Sequence, residues 1–373
     1  MGKKILLIST EAWGPNFVSK HHYANYLSEN HEVYFLNPAS GFNKNPFGDI
    51  QLKHKKLKDG LYSLTYKNLV PKLNNLPKAV QKSIYKKQAN QIHKGLDINE
   101  FDIVWSFDPY RYWDLSVFNA KKHLYHTVDF HPTAKFESDC ANSADHVICV
   151  TELIKSSLTT KNTSIHKIGH GADINGFEQE SVTEIPGKNK LKACYVGNFH
   201  NHIDYEMLLQ LTKENQHCDF IMIGPTLDSN LSSGNKISMS HLKALEQQQN
   251  LFFIGSVVPQ LLMSYLNKMD INLVLFKKEN QRIHCSPHKL MGYFYSGKTT
   301  LSNYIDEHKN TSSEIITMVD DQHEIPLRFK QIISEISLHN SKELQEKRRN
   351  FAVVNSYTNK IEQIFALIQD ESN

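Results

Sequence analysis

The amino-acid sequence predicts an α/β protein built from two doubly wound, parallel-sheet domains in succession. Three observations carry that expectation. Short apolar runs of strand length recur along the chain, and stretches of helical periodicity separate them. Most of the runs are apolar throughout rather than alternating, the pattern of strands covered on both faces. Midway, at residues 177–189, the apolar period stops, Pro186 and Gly187 intervene, and a fresh strand opens at Leu191.

The elements follow in order. Strands are expected at residues 4–9, 32–36, 103–106, 123–127 and 146–150, then at 192–196, 219–223, 251–254, 271–275 and 299–302. Residues 51–95 interrupt the early alternation and read as an excursion at the edge of the first domain. An amphipathic helix with Ile361, Ile364, Phe365 and Ile368 on one face closes the chain. The expected division is a domain at 1–177, a second at 190–355 and a closing helix at 356–373.

Bulk properties bound the function class. A chain of 373 residues suits two domains, and 40% hydrophobic with 22% charged residues fits a soluble globular protein. No run approaches the roughly 18–20 apolar residues that span a bilayer. The N-terminal run after Met1 is too short for a signal peptide and passes into Thr10 and Glu11 without a cleavage site, so it reads as a buried strand. Five scattered cysteines without CxxC spacing fit free thiols in a reducing cytosol.

Charge is unevenly placed. Between residues 51 and 95 eleven lysines face Asp59 alone, with apolar residues interleaved. The stretch is either a solvated face of ordinary helices or a surface for the anionic inner leaflet of the cell membrane. No nucleic-acid recognition motif accompanies it, and no nucleic-acid partner is expected.

In open parallel sheets ligands bind beyond the carboxyl ends of the strands, so residues just after each strand are the candidates. After the first strand, Gly14 serves either as a turn glycine or as a point of close approach for a ligand. The fourth strand ends in His126, Asp129 and His131. A carboxylate there can take a proton from an incoming hydroxyl, with His126 sharing or tuning that task; alternatively Asp129 caps the next turn. Their spacing specifies no metal, and none is expected. The 169–177 loop, with Gly169, His170 and Gly171, marks the end of the first domain. The second domain opens with Gly197, Asn198 and His202 in a strand-to-helix turn suited to a phosphate, followed by Gly224, Ser256 and Val257 at later strand ends. Arg282, His284, Ser286, Pro287, His288 and Lys289 combine two fixed cations with a Ser-Pro helix start, able to neutralise a diphosphate leaving group without Mg²⁺. Histidines at the predicted strand ends, His170 and His200 among them, suggest an imidazole-rich site sensitive to pH near 6–7.

These segments resemble the GT-B glycosyltransferases of bacterial polysaccharide assembly. Ser286-Pro-His-Lys-Leu-Met-Gly-Tyr-Phe-Tyr-Ser-Gly-Lys298 is similar to that group's SPxKxxEYxxxGKPVV donor motif. Ala144 to Glu152 resembles ADxVixxSe, His170 to Phe177 resembles nGvDxxxF, and Val196 to Asp204 resembles the GxxxxRiD opening of the donor domain. Ser356-Tyr357 resembles the SW pair before the last helix. The motifs are loose, but their order spans nearly the whole chain. Within the group the chain is most similar to the teichuronic-acid-type transferases and to the xanthan glucuronosyltransferase, an inverting, membrane-associated enzyme. The resemblance implies two Rossmann-like domains facing across a cleft, a nucleotide sugar (a UDP-sugar foremost) as co-substrate and no other cofactor. It implies a saccharide or lipid-linked acceptor, and a cytoplasmic protein peripheral to the inner face of the membrane. Asp129 matches the implied base and Lys289 the implied diphosphate ligand, with Gly14 and His131 on the acceptor side. Two positions depart from the pattern. Gly292 stands where relatives hold the ribose with glutamate, and His202 where many have arginine. The expected activity is inverting, metal-independent sugar transfer in surface polysaccharide synthesis. A retaining transferase, a nucleotide-sugar 2-epimerase and a non-catalytic nucleotide-sugar-binding subunit are the alternatives.

Overall fold

A computed structural model describes residues 2–43, 45, 48–175, 184–200, 202–225, 238–278 and 286–369. The chain forms two compact units. The first comprises Met1–Gly14, Val18–Gly169 and Lys360–Asn373; the second comprises Pro15–Phe17 and His170–Asn359. The chain thus changes unit at Gly169, ahead of the 177 expected from sequence, and the expected linker at 177–189 lies partly outside the described residues.

The first unit holds strands β1 (Lys4–Ile8), β2 (Glu32–Leu36), β3 (Lys53–Lys58), β4 (Leu61–Thr65), β5 (Phe101–Ser106), β6 (Ala120–Thr127), β7 (His146–Cys149) and β8 (Ile165–Lys167). They lie in the order β3-β4-β2-β1-β5-β6-β7-β8. All neighbours are parallel except β3 and β4, which pair antiparallel. Ile5, Leu6, Leu7 and Ile8 are all 0% exposed, so both faces of β1 are covered, as its unbroken apolar run requires. The helix Ser19–Leu27 packs back on the sheet through His21, whose ring stacks on Phe35 of β2 at 5.2 Å.

Residues 51–95 do lie at one edge of the first unit's sheet, but as part of it. They supply β3, β4 and the helix Lys78–Leu96. β3 reads KHKKLK and only Leu57 is even half-buried. It has no apolar pattern because it is the sheet's edge, where lysines oppose pairing with another chain. The charge surplus is also partly met from elsewhere: Lys78 pairs with Asp139 at 2.6 Å and Lys82 with Asp114.

The second unit holds β9 (Leu191–Val196), β10 (Cys218–Ile223), β11 (Leu251–Gly255), β12 (Ile271–Val274), β13 (Thr299–Asn303) and β14 (Thr317–Val319). They form an all-parallel sheet in the order β11-β10-β9-β12-β13-β14. The helix Tyr205–Glu214 starts where Asp204 accepts from the Met207 amide at 2.9 Å. Arg348, 2% exposed, donates to the carbonyls of Glu314, Gly297 and His339, each at 2.9 Å, and so ties the helix Lys342–Val354 into this unit.

The closing helix, Tyr357–Gln369, begins in the second unit and continues in the first, where Ile364 is 0% exposed and Phe365 meets His31 at 5.4 Å. Among the described residues no helix is long and apolar enough to cross a membrane. In each sheet the chain leaves a central strand in both directions, from β1 to β2 and β5, and from β9 to β10 and β12. Those reversals open a crevice at the carboxyl ends of the central strands.

Candidate active site

In the second unit the crevice is built from glycine. Gly197, just past β9, and Gly224, just past β10, both have φ of +140°, a backbone that side chains oppose. A Cβ on Gly224 would lie 2.1 Å from the Gly197 carbonyl oxygen, so the two turns touch backbone to backbone. The Gly197 amide donates to Ile223 at 2.9 Å and the Gly224 amide to Gly255 at 2.8 Å, lacing three strand ends together.

Lys289 faces this lacing. It opens the helix Lys289–Ser296, and a Cβ on Gly197 would approach its Nζ to 2.8 Å. The ammonium lies 3.7 Å from the centre of the Tyr195 ring and 5.6 Å from that of Phe276, which suits a cation. Among the described residues it has no carboxylate or hydrogen-bonding partner. Burial lowers its pKa to about 7, opposed only by nearby Cys194. The helix is fixed by Tyr293, whose hydroxyl accepts from the Val196 amide at 2.7 Å and donates to the Leu273 carbonyl at 3.3 Å.

Other expected donor residues gather unevenly. His288 Nε2 lies 2.7 Å from the Tyr357 hydroxyl, and the His170 ring meets His288 edge-on at 5.6 Å. Gly171 is required there, since a Cβ would come within 2.6 Å of the Tyr357 ring. His202 stands edge-on to Phe276 at 5.3 Å, on the residue that also flanks Lys289. Asn198, Ser286 and Pro287 are half-buried beside these turns. The Leu290 and Met291 amides bond the carbonyls of Pro287 and His288, so the helix start offers fewer amides to an anion than its sequence suggests. Ser256 and Val257 follow β11 at the far edge, separated from β9 by β10. Arg282 and His284 lie outside the described residues.

In the first unit the strand ends are filled with paired charges. Lys20, 2% exposed, forms an ion pair with Glu11 and donates to Thr10 Oγ1 at 2.9 Å. Burial pushes the Glu11 carboxyl up, but Lys20 outweighs it and holds the group below its ordinary value. Arg111 donates to Asp108 at 2.6 Å, to the Ser9 and Asn37 carbonyls at 2.5 and 3.0 Å, and to the Tyr66 hydroxyl at 2.8 Å. One guanidinium thus clamps the chain beyond β1, β2, β4 and β5. Sequence reasoning passed over Lys20, Glu11, Asp108 and Arg111. Asp108 and Arg111 follow a predicted strand directly, which was a usable signal; the pairing of Glu11 with Lys20 had none.

Asp129 follows β6, where Thr127 Oγ1 donates to its carbonyl at 3.0 Å. Its side chain reaches solvent. The protein around it raises the carboxyl to about 6, against Lys20 and with Glu11 adding to the rise; water at the exposed side chain limits that rise. His131 stands edge-on to Tyr110 at 5.6 Å, and burial lowers its pKa to about 4. Gly14 ends the loop beyond β1, in which the Trp13 amide donates to Asn37 at 2.6 Å. The expectations for two histidines change. His126 is 0% exposed, packed on Phe107 at 4.7 Å and Tyr23 at 5.2 Å, so no acceptor reaches it. His131, lowered well out of that range, stays neutral near pH 6–7 and takes no part in the expected pH sensitivity there.

No family model matches the chain. It is 20% identical over 219 residues to a Bacillus subtilis protein named as a teichuronic acid biosynthesis glycosyltransferase, TuaH; the match takes in 56% of this chain and 53% of that protein, about half its length. Two solved structures align almost throughout. Sucrose-phosphate synthase from Thermosynechococcus elongatus superposes with a TM-score of 0.68 at 14% identity, covering 99% of this chain and 98% of that one. HepE of Anabaena, solved with UDP and glucose, superposes with a TM-score of 0.67 at 12% identity, covering 98% and 99%. At such identities the likeness is one of fold. Two Rossmann-like units of parallel sheet, in this order and at this coverage, give the chain the GT-B fold that these structures share.

Proposed function

We propose that the protein transfers a sugar from a nucleotide diphosphate to a hydroxyl of a saccharide or lipid-linked saccharide in surface polysaccharide synthesis, with inversion and without a metal. The observation that carries this reading is the Lys289 ammonium, unpartnered among the described residues and held on the glycine lacing at the crevice of the second sheet. A diphosphate bound there gives the cation its missing counter-charge and restores its protonation. The HepE structure contains UDP, which favours uridine as the base.

In the reaction, the acceptor hydroxyl gives its proton to the Asp129 carboxylate. Its oxygen forms the new bond to the anomeric carbon as the bond from that carbon to the phosphate oxygen breaks. The nucleoside diphosphate leaves with the electron pair, stabilised by Lys289. The exposed lysines without an ion pair among the described residues on β3 and on the helix Lys78–Leu96, such as Lys53, Lys55, Lys86 and Lys87, form the part of the basic stretch suited to an anionic leaflet.

The test supplies UDP-sugars with undecaprenyl-linked saccharides in EDTA and follows UDP release together with the anomeric configuration of the product by NMR. Inverted product that forms only with acceptor supports the reading. Retained configuration favours a retaining transferase, donor conversion without acceptor an epimerase, and binding without turnover a binding subunit.

A further inference from the structure

The loop that carries Asp129 is also one wall of an open pocket of about 230 Å³, lined only by residues of the first unit, between that loop and the helix Glu152–Ser157. Its lining is of two kinds. Phe130, Ile154 and Leu158 give it an apolar side, and Phe130 is 37% exposed and so free to stack. Glu137, Ser138, Ser157 and Thr159 give it a polar side. An apolar patch facing a rim of hydroxyls and a carboxylate matches a pyranose, which has a C–H face and a hydroxyl edge. The volume falls below the roughly 300–1,000 Å³ of sites for larger ligands, the size class of one sugar residue.

Glu137 is fixed for such a role. Its Oε1 accepts from the Tyr125 hydroxyl at 2.7 Å and from Thr127 at 3.5 Å, both on β6, the strand that delivers Asp129. No partner for its Oε2 is found among the described residues. The charged lining residues are two carboxylates, Asp129 and Glu137, against one ammonium, Lys135, with His131 neutral; Lys20, whose field also reaches Asp129, is paired with Glu11. That balance disfavours an anionic sugar.

Resting on the transferase reading, we infer that this cavity is the acceptor subsite and takes one neutral sugar residue, with a hydroxyl presented to Asp129 at its rim. The lysines of the 51–95 stretch then answer to a membrane and not to an acidic acceptor sugar.

The experiment is saturation-transfer NMR on the full chain with the methyl glycosides of glucose, galactose, mannose and glucuronic acid. At least one neutral glycoside should show transfer several-fold above the glucuronide. Ser157→Trp, placed at an exposed position on the cavity's edge, should abolish that signal while leaving UDP-induced thermal stabilisation intact. Lys289→Ala should do the reverse. A signal that survives Ser157→Trp, a stronger signal from the glucuronide, or no signal from any neutral glycoside overturns the inference. Loss of UDP stabilisation in the wild type with the glycoside pattern intact sinks the transferase reading instead and leaves a sugar site.

Discussion

The carboxyl ends of the two central strands solve opposite problems. Beyond β1 the charges are matched: Lys20 with Glu11, Arg111 with Asp108, and Arg111 again with three strand-end oxygens. Beyond β9 the backbone is bare glycine, and Lys289, brought to it, rests on aromatic faces without an anion among the described residues. The first arrangement spends its charges on holding a loop; the second leaves a charge to be satisfied by something that binds. On the proposed function, nucleotide affinity falls to the second unit and the proton acceptor to the first.

Substitutions sharpen or break that contrast. The largest effect is expected from Asp129→Asn, which should slow transfer by about 10²–10⁴-fold while leaving UDP binding intact; a rate within a few-fold of wild type in the sugar-transfer assay would remove Asp129 as base. Next, Arg111→Ala leaves Asp108, 2% exposed, without its counter-ion, and urea unfolding should show a loss of about 3–5 kcal/mol. Lys289→Ala should do the opposite, leaving stability unchanged or slightly higher while removing about 1.5–3 kcal/mol of UDP affinity. If both alanine variants lose stability equally, the contrast between the units fails.

The pH profile should carry both limbs. Transfer should fall as pH drops below about 6, where Asp129, raised above the ordinary carboxylate range, begins to take up a proton and cease to be a base. UDP affinity should fall as pH rises above about 7, where the free Lys289 loses its charge. A flat binding curve from pH 6 to 9 would mean that Lys289 stays protonated unaided. The smallest effect is at Gly292, where a Cβ would meet only Leu266 at an ordinary 3.7 Å: Gly292→Ala should stabilise by about 0.5–1 kcal/mol in thermal unfolding. Gly224→Ala, by contrast, should not tolerate its 2.1 Å contact.

Ten strands were legible because a strand buried on both faces must be apolar along its length. The four unseen ones lacked that signature. β3 is an exposed, lysine-rich edge, β4 mixes Ser63 and Thr65 with its apolar residues, and β8 and β14 are three residues each. Gly197 and Gly224, read from strand ends, lie against each other, and Lys289 reaches them from the start of its helix. His126 misled because position at a strand end does not say which face a side chain takes; its aromatic packing partners come from β5 and a helix far away in sequence. Arg282 and His284 lie outside the described residues, and their part at the donor site rests on sequence alone.

The most direct test is calorimetric titration of UDP into the full chain in EDTA, wild type beside Lys289→Ala. Binding by the wild type that weakens at least tenfold in the variant is the expected result. Equal affinity in the two proteins, or no binding by the wild type, would contradict the assignment of the donor site to Lys289 and the glycine turns.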